Sequence, residues 1–361
     1  MDGKIWEVPL ELVPNKIPRY PGGREIDRFR GLEECNDDGR PEAWVGSTTR
    51  AMGPHEDRNT GLSEVVLPSG GGVALLTELI DKYPRELLGE KHYEKFGSEL
   101  CILVKLLDAK NQLGLQTHPT REYAKVHFGS DFGKTESWYI IGLREDQEEE
   151  PYVLLGFKEG ITREIFEELY EKQDISAMEE CCHKIPVSVG DMFLVDAGVP
   201  HAVGPGCFLV EVQESSDITV GVRKREFPTE EEELAYNNRL LGCYIYDGSS
   251  YDGNLDKYRI PPTTDRTCQG GLEKVLLGRE NTPYFGITEA EVTDEFPMRN
   301  TGTFSVAIVL EGEGEIAYSG GSMDIKKGSE IFLPAGIKDP VLRSRNNTTL
   351  KVVQAFPPEV I

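Results

Sequence analysis

Apolar and polar positions change period along this chain, and most of its length runs at a period of two. The stretch "TFSVAIVLEGEGEIAYSGGSMDIKKGSEIFLPAG" (303–336) breaks into short alternating runs separated by glycine turns, as a β-meander does. Three stretches run at helical spacing instead: "GVALLTELIDKYPRELLG" (72–89), "ITREIFEELYEKQD" (161–174) and "PTEEEELAYNNRLLG" (228–242). The first repeats apolar residues at i, i+3 and i+4 and ends at a glycine. With 38 Gly and 22 Pro the chain is rich in turns, as many short strands require. These patterns predict a mainly β protein with a few short helices. The weakest composition, "YDGSSYDGNLDKYRIPPTTD" (246–265), reads as a connection between two units.

A repeat defines those units. Gly190, Asp196, Gly198 and His201 share their spacing with Gly328, Pro334, Gly336 and Asp339. Each copy reads as a glycine turn, a strand, a tight turn and then a position that presents a ligand. The template resembles a motif of the cupin family, which implies two cupin-like jelly-roll units of packed antiparallel sheets. We expect a metal-binding catalytic unit over 1–250 and a degenerate unit without a metal site over 251–361. All six histidines (His55, His92, His118, His127, His183 and His201) lie at or before position 201. The second unit therefore has no imidazole for a metal.

Four residues of the first unit have ligand chemistry at strand spacing. Gln116 and His118 in "LQTHP" are two apart and share a face of any strand. Glu136 lies in the aromatic, β-branched "ESWYII", and His201 follows the apolar run "MFLV" and a tight turn. Two imidazoles, a carboxylate and an amide oxygen suit a first-row metal, with room for water or substrate. His127 and His183 have no partner at ligand spacing and read as structural or exposed.

Bulk properties narrow the function. A net charge of −24 argues against non-specific nucleic-acid binding, and the acidic runs read as solvated faces. No signal-peptide pattern or membrane-length apolar run occurs, and the seven cysteines form no CxxC pair or disulfide framework. We expect a cytoplasmic protein without membrane partners, in which the "NNTT" sequon has no role. The segment "GSDFGKT" (129–135) imitates a phosphate loop. It is one residue short, and a strand pattern follows where a helix N-terminus would have to stand.

The blocks "PEAWVGSTT" (41–49), "KLLDAKNQLGLQTHPTREYA" (105–124), "GKTESWYIIG" (133–142), "GDMFLVDAGVPHAVGPG" (190–206) and "EVQESSDIT" (211–219) together resemble the type I mannose-6-phosphate isomerases, in their shorter bacterial form. The resemblance implies interconversion of mannose 6-phosphate and fructose 6-phosphate, with one Zn²⁺ per chain held by Gln116, His118, Glu136 and His201. Moving a proton between C1 and C2 through an enediol needs a base and a cation near the developing enediolate. Lys134 shares the face of Glu136 and matches the family's "GKTE", so it is the candidate base. Trp138 lies on that face as a candidate wall, and Glu42 in "PEAWVGS" is a candidate pocket residue.

The family also carries an arginine shortly after its "SD". Here Val220 and Gly221 occupy that region and Arg223 comes about two residues later. A shift of two keeps a strand face, so Arg223 is the expected substitute, with Arg225 beside it as a phosphate ligand. Pairing of this basic cluster with "EFPTEEEE" is the competing reading. Two functional alternatives stand as well: a non-catalytic metal-containing sugar-phosphate binder, and a cupin oxygenase using Fe²⁺.

Overall fold

The computed structural model describes residues 4–53, 57–68, 70–346 and 348–360. His55 and the sequon residue Asn347 lie outside them. The chain is mainly β, in antiparallel sheets, and the longest α-helix among the described residues is the 12-residue Glu230–Leu241. It folds as two compact units: Met1–Leu107 with Val210–Gln213 and Pro261–Ile361, and Asp108–Leu209 with Glu214–Ile260.

The first unit contains a seven-stranded sheet that runs Leu10–Glu11, Glu330–Leu333, Ser305–Glu311, Leu350–Phe356, Gly286–Val292, Gly271–Leu277, Thr263–Cys268. A four-stranded sheet of the same unit runs Glu295–Pro297, Val341–Ser344, Glu313–Tyr318, Gly321–Lys326. The period of two puts Ala307, Val309, Ile316, Ile325, Ile331, Leu333, Leu342 and Val352 into one apolar core. Asp339, which holds the ligand position of the second repeat, is exposed with φ +47°.

The repeat itself is real at the level of hydrogen bonds. Asp191 N donates to Ser188 O (3.1 Å), and Ser329 N donates to Lys326 O (2.8 Å) at the same template position. Further on, Val199 N donates to Asp196 O (3.1 Å) and Ile337 N to Pro334 O (3.2 Å). Gly190 and Gly328 have φ +97° and +85°, a region that favours glycine, so each opens its copy in the same way.

The second unit carries a five-stranded sheet in the order Cys182–Pro186, Tyr152–Phe157, His201–Val203, Gln116–Thr117, Val220–Gly221. Helices cover the side formed by Leu154, Phe157, Ala202 and Val220. Phe166 and Tyr170 of the helix Arg163–Lys172 are fully buried there, each burial stabilising by about 1.5–3 kcal/mol. Threonines cap these helices: Thr162 accepts from Ile165 N (3.4 Å) and Thr229 from Glu232 N (3.2 Å).

Two expectations from the pattern change. The helix expected over 72–89 begins as a strand, Val73–Leu75, and then splits into Leu76–Lys82 and Pro84–Leu88, because Pro84 restricts Tyr83 and ends the first segment. The weak stretch 246–265 contains the helix Tyr251–Tyr258, which Ser250 starts by accepting from Gly253 N (3.2 Å). Its buried Asn254 donates to Leu155 O (3.0 Å), so tertiary contact supplies what propensity lacks. The segment after "GSDFGKT" is the strand Glu136–Leu143, as the phosphate-loop argument required.

Candidate metal centre

Three adjacent strands set the site. Gln116 is the register partner of His201 on one side and of Gly221 on the other. Opposed residues share a face, so the row His201, Gln116, Gly221 points the same way. His118 lies just past the end of the strand Gln116–Thr117, and its carbonyl accepts from Gly198 N (2.7 Å), joining it to the turn before His201. Glu136 opens the strand Glu136–Leu143 opposite Val195.

The side chains converge in a buried cluster; His118, Glu136 and His201 are each 1% exposed. The Nε2 atoms of His118 and His201 stand 3.2 Å apart. Glu136 Oε2 is 3.1 Å from His118 Nε2, and Glu136 Oε1 is 3.4 Å from His201 Nε2. The Gln116 amide nitrogen lies 3.4 Å from His201 Nε2, and a half-turn of the amide presents its oxygen instead. Lys134 donates to Glu136 Oε2 (2.6 Å) and to His118 Nε2 (2.7 Å).

The donor set fits a metal ion. His118 Nδ1 stands 2.9 Å from Ile218 O, and His201 Nδ1 stands 2.9 Å from Val199 O. Each carbonyl takes the Nδ1 proton, which fixes the tautomer and leaves the Nε2 lone pair aimed into the cluster. The two Nε2 atoms and the Glu136 carboxylate thus face one another at 3.1–3.4 Å, one carboxylate oxygen toward each imidazole. A cation held ~2.0–2.2 Å from each donor sets neighbouring donors about 3.0–3.5 Å apart.

Electrostatics favour the ligating forms. Burial, helped by the Lys134 ammonium, pushes the His118 pKa down to about 3, and burial lowers His201 as well. Burial alone would raise Glu136, but Lys134, His118 and His201 outweigh it and hold the carboxyl well below its usual range. Neutral imidazoles and an ionised carboxylate are what a divalent ion requires.

Trp138 is fully buried, donates to Glu136 Oε1 (3.0 Å) and sets its ring 5.5 Å from that of His201. The structure does not bring the basic cluster to these residues. Arg223 is exposed two residues beyond the strand Val220–Gly221, and its charge lowers Glu179 against the larger effect of burial. Arg225 lies over the ring of Tyr236 at 5.3 Å. His127 is exposed and stacks on Tyr123, while His183 Nε2 meets Ser249 O (2.8 Å).

Glu42 belongs to the other unit, in a polar network that the pattern reading missed. It accepts from Trp44 Nε1 (2.9 Å) and Tyr20 OH (3.1 Å), with Lys105 Nζ 3.8 Å away. Lys105 itself pairs with Glu211 at 2.7 Å, both buried. The signal was present, since a lysine interrupts the otherwise apolar "ILV-LL" of the fully buried strand Ile102–Asp108. A charge there needs a partner.

Fold and site together define a cupin-class protein with a cluster of metal-ligand type. Residues 23–136 match the model of the phosphomannose isomerase type I catalytic domain, and residues 279–348 match that of the mannose-6-phosphate isomerase cupin domain. The chain belongs to the type I phosphomannose isomerase family, a family of isomerases. It is 28% identical over 308 residues to a mannose-6-phosphate isomerase of Streptococcus mutans, covering 82% of this chain and 90% of that one. A Bacillus subtilis mannose-6-phosphate isomerase is 27% identical over 277 residues, 73% and 76% of the two chains. The crystal structure of a mannose 6-phosphate isomerase from Bacillus subtilis superposes with a TM-score of 0.74, at 23% identity, over 96% of this chain and 99% of that one. That likeness carries the fold. Among the described residues no helix is long and apolar enough to cross a membrane, and no disulfide forms.

Proposed function

We propose that this chain is a zinc-dependent aldose–ketose isomerase that interconverts mannose 6-phosphate and fructose 6-phosphate in the cytoplasm. The observation that carries this reading is the convergence of His118 Nε2, His201 Nε2 and Glu136 on one buried point, with Lys134 touching two of the three. Gln116, His118, Glu136 and His201 would hold the ion. Zinc supplies a positive charge that polarises the sugar carbonyl or orients its oxygens.

The chain's own groups do the rest. Lys134 Nζ is the proton carrier between C1 and C2 of the open-chain sugar, a role worth about 10²–10⁴ in rate. Trp138 holds Glu136 Oε1 and keeps water from one side of the carboxylate. Ile218 and Val199 hold both imidazoles in the tautomer that leaves Nε2 free. The test is conversion of mannose 6-phosphate to fructose 6-phosphate with and without a chelator, followed by zinc add-back. Turnover abolished by the chelator and restored by zinc supports the reading; turnover indifferent to the chelator defeats it.

One observation favours a second reading, a metal-containing sugar-phosphate binder without turnover. The strand position beside Gln116 is Gly221, which offers no side chain, and Arg223, beyond the strand, is exposed. Stoichiometric zinc and saturable mannose 6-phosphate binding with no product would select it.

A further inference from the structure

The metal-centre reading leaves open what holds the "GKTE" segment against "THP", since His118 lies just past the strand Gln116–Thr117, Lys134 lies just before the strand Glu136–Leu143, and their side chains meet at 2.7 Å. Gly133 shows how close the segments run. A Cβ there would stand 2.7 Å from Arg121 N and 2.8 Å from Pro119 O. Lys134 N donates to Pro119 O (3.1 Å). Thr135, which separates Lys134 from Glu136, has both backbone groups bound by one residue. Its N–H donates to Glu214 Oε1 (3.2 Å), and its carbonyl accepts from Glu214 N (3.1 Å). The other carboxylate oxygen, Glu214 Oε2, accepts from Arg121 Nε at 2.5 Å. Arg121 is three residues beyond His118 and opens the helix Arg121–His127.

The Glu214 side chain is 1% exposed and that of Arg121 is 32% exposed. Four residues after Glu214, Ile218 O takes the His118 ring. The segment 214–218 therefore touches the backbone between Lys134 and Glu136 at one end and the His118 imidazole at the other.

We propose that Glu214 is a positioning residue. Its carboxylate bridges the Arg121 guanidinium and the Thr135 amide, and so fixes Lys134 and Glu136 against His118. The proposal rests on the metal-centre reading and adds a residue outside its set of ligands. A buried carboxylate with two hydrogen-bonded partners, one a cation, is a rigid strut. Supports of this kind typically change metal affinity by 10–100-fold when removed.

Zinc affinity, measured by competition with a chromophoric chelator, is compared for the wild type, Glu214→Ala, Glu214→Gln and Glu214→Asp, with kcat and KM for mannose 6-phosphate alongside. The alanine is expected to weaken zinc about 10–100-fold and to lower kcat more than it raises KM. Glutamine keeps an oxygen for the Thr135 amide and is expected to restore most of the zinc affinity. Aspartate is too short to span both partners and is expected to weaken zinc about tenfold, from the low end of the same range. A folded Glu214→Ala protein that binds zinc within about twofold of wild type overturns the proposal. If that variant does not fold, unchanged zinc binding by Glu214→Asp overturns it. Zinc binding is read without turnover. A wild type that binds zinc but converts nothing therefore defeats the isomerase reading alone, and a wild type that binds none defeats both.

Discussion

His118 and His201 face each other through their Nε2 atoms at 3.2 Å, and each has its other ring nitrogen 2.9 Å from a backbone carbonyl. Neither carbonyl comes from the residue's own strand partner: Ile218 is a hundred residues from His118, while Val199 belongs to the turn that precedes His201. Two neutral imidazoles fixed lone pair to lone pair are stable together only with positive charge between or beside them, and Lys134 stands within 2.7 Å of one.

Removing one imidazole opens the cluster. His201→Ala is expected to bind zinc at well below one ion per chain after dialysis, with turnover lost in parallel. Metal content by atomic emission checks it, and a full equivalent of zinc in that variant would sink the site as drawn.

Lys134→Met separates proton transfer from metal binding. The substitution removes the group that contacts His118 and Glu136 without removing a ligand. Turnover is expected to fall about 10²–10⁴-fold while zinc stays bound. Activity within a factor of three of wild type would take Lys134 out of the chemistry.

The two depressed histidines and Glu136 have one sign of pH dependence. His118 has a folded pKa of about 3 against the ordinary 6.5. The unfolded chain therefore takes up protons that the native site refuses, and stability is full above pH ~6.5. It is lost progressively as pH falls toward 3, with Glu136 adding to the loss below its ordinary carboxylate range. The midpoint of thermal unfolding of the metal-stripped protein should drop between pH 7 and 4, and His118→Asn should flatten the slope. A midpoint equal at pH 7 and 4.5 would contradict the neutral, buried assignment.

Arg223→Ala tests the expectation drawn from the "SD" segment. The exposed position, with its charge felt by Glu179, leads us to expect turnover within about threefold of wild type and unchanged zinc, since surface substitutions away from special features act weakly. A tenfold or greater loss with zinc retained would restore Arg223 to the mechanism.

Stability of the second unit has its own weak point. Arg144 and Asp108 form a two-bond pair, 2.6 and 2.7 Å, with both side chains fully buried. Asp108→Ala leaves a buried guanidinium without its carboxylate and is expected to cost about 3–5 kcal/mol. Denaturant unfolding measures it; a loss under 1 kcal/mol would mean the charge is not desolvated.

Much of the site was legible because ligand spacing is a local property. Gln116 and His118 two apart, Lys134 and Glu136 two apart, and the repeated glycine turns before His201 can all be read from a single strand and its turn, and the structure puts Gln116 and Glu136 in strands with His118 and Lys134 just outside their ends. The mainly β pattern came from the same source, since alternation is fixed by the pleat. Arg223 shows the limit of that reasoning. A shift of two keeps a face only while the strand lasts, and this one ends at Gly221. Only the tertiary structure decided which distant residues meet: the carbonyl of Ile218 and the His118 ring, Glu214 and Thr135, and Lys105 and Glu211, 106 positions apart. Periodicity assigns each side chain a face, whereas register between distant strands decides which faces meet, and register is set by burial of the whole sheet.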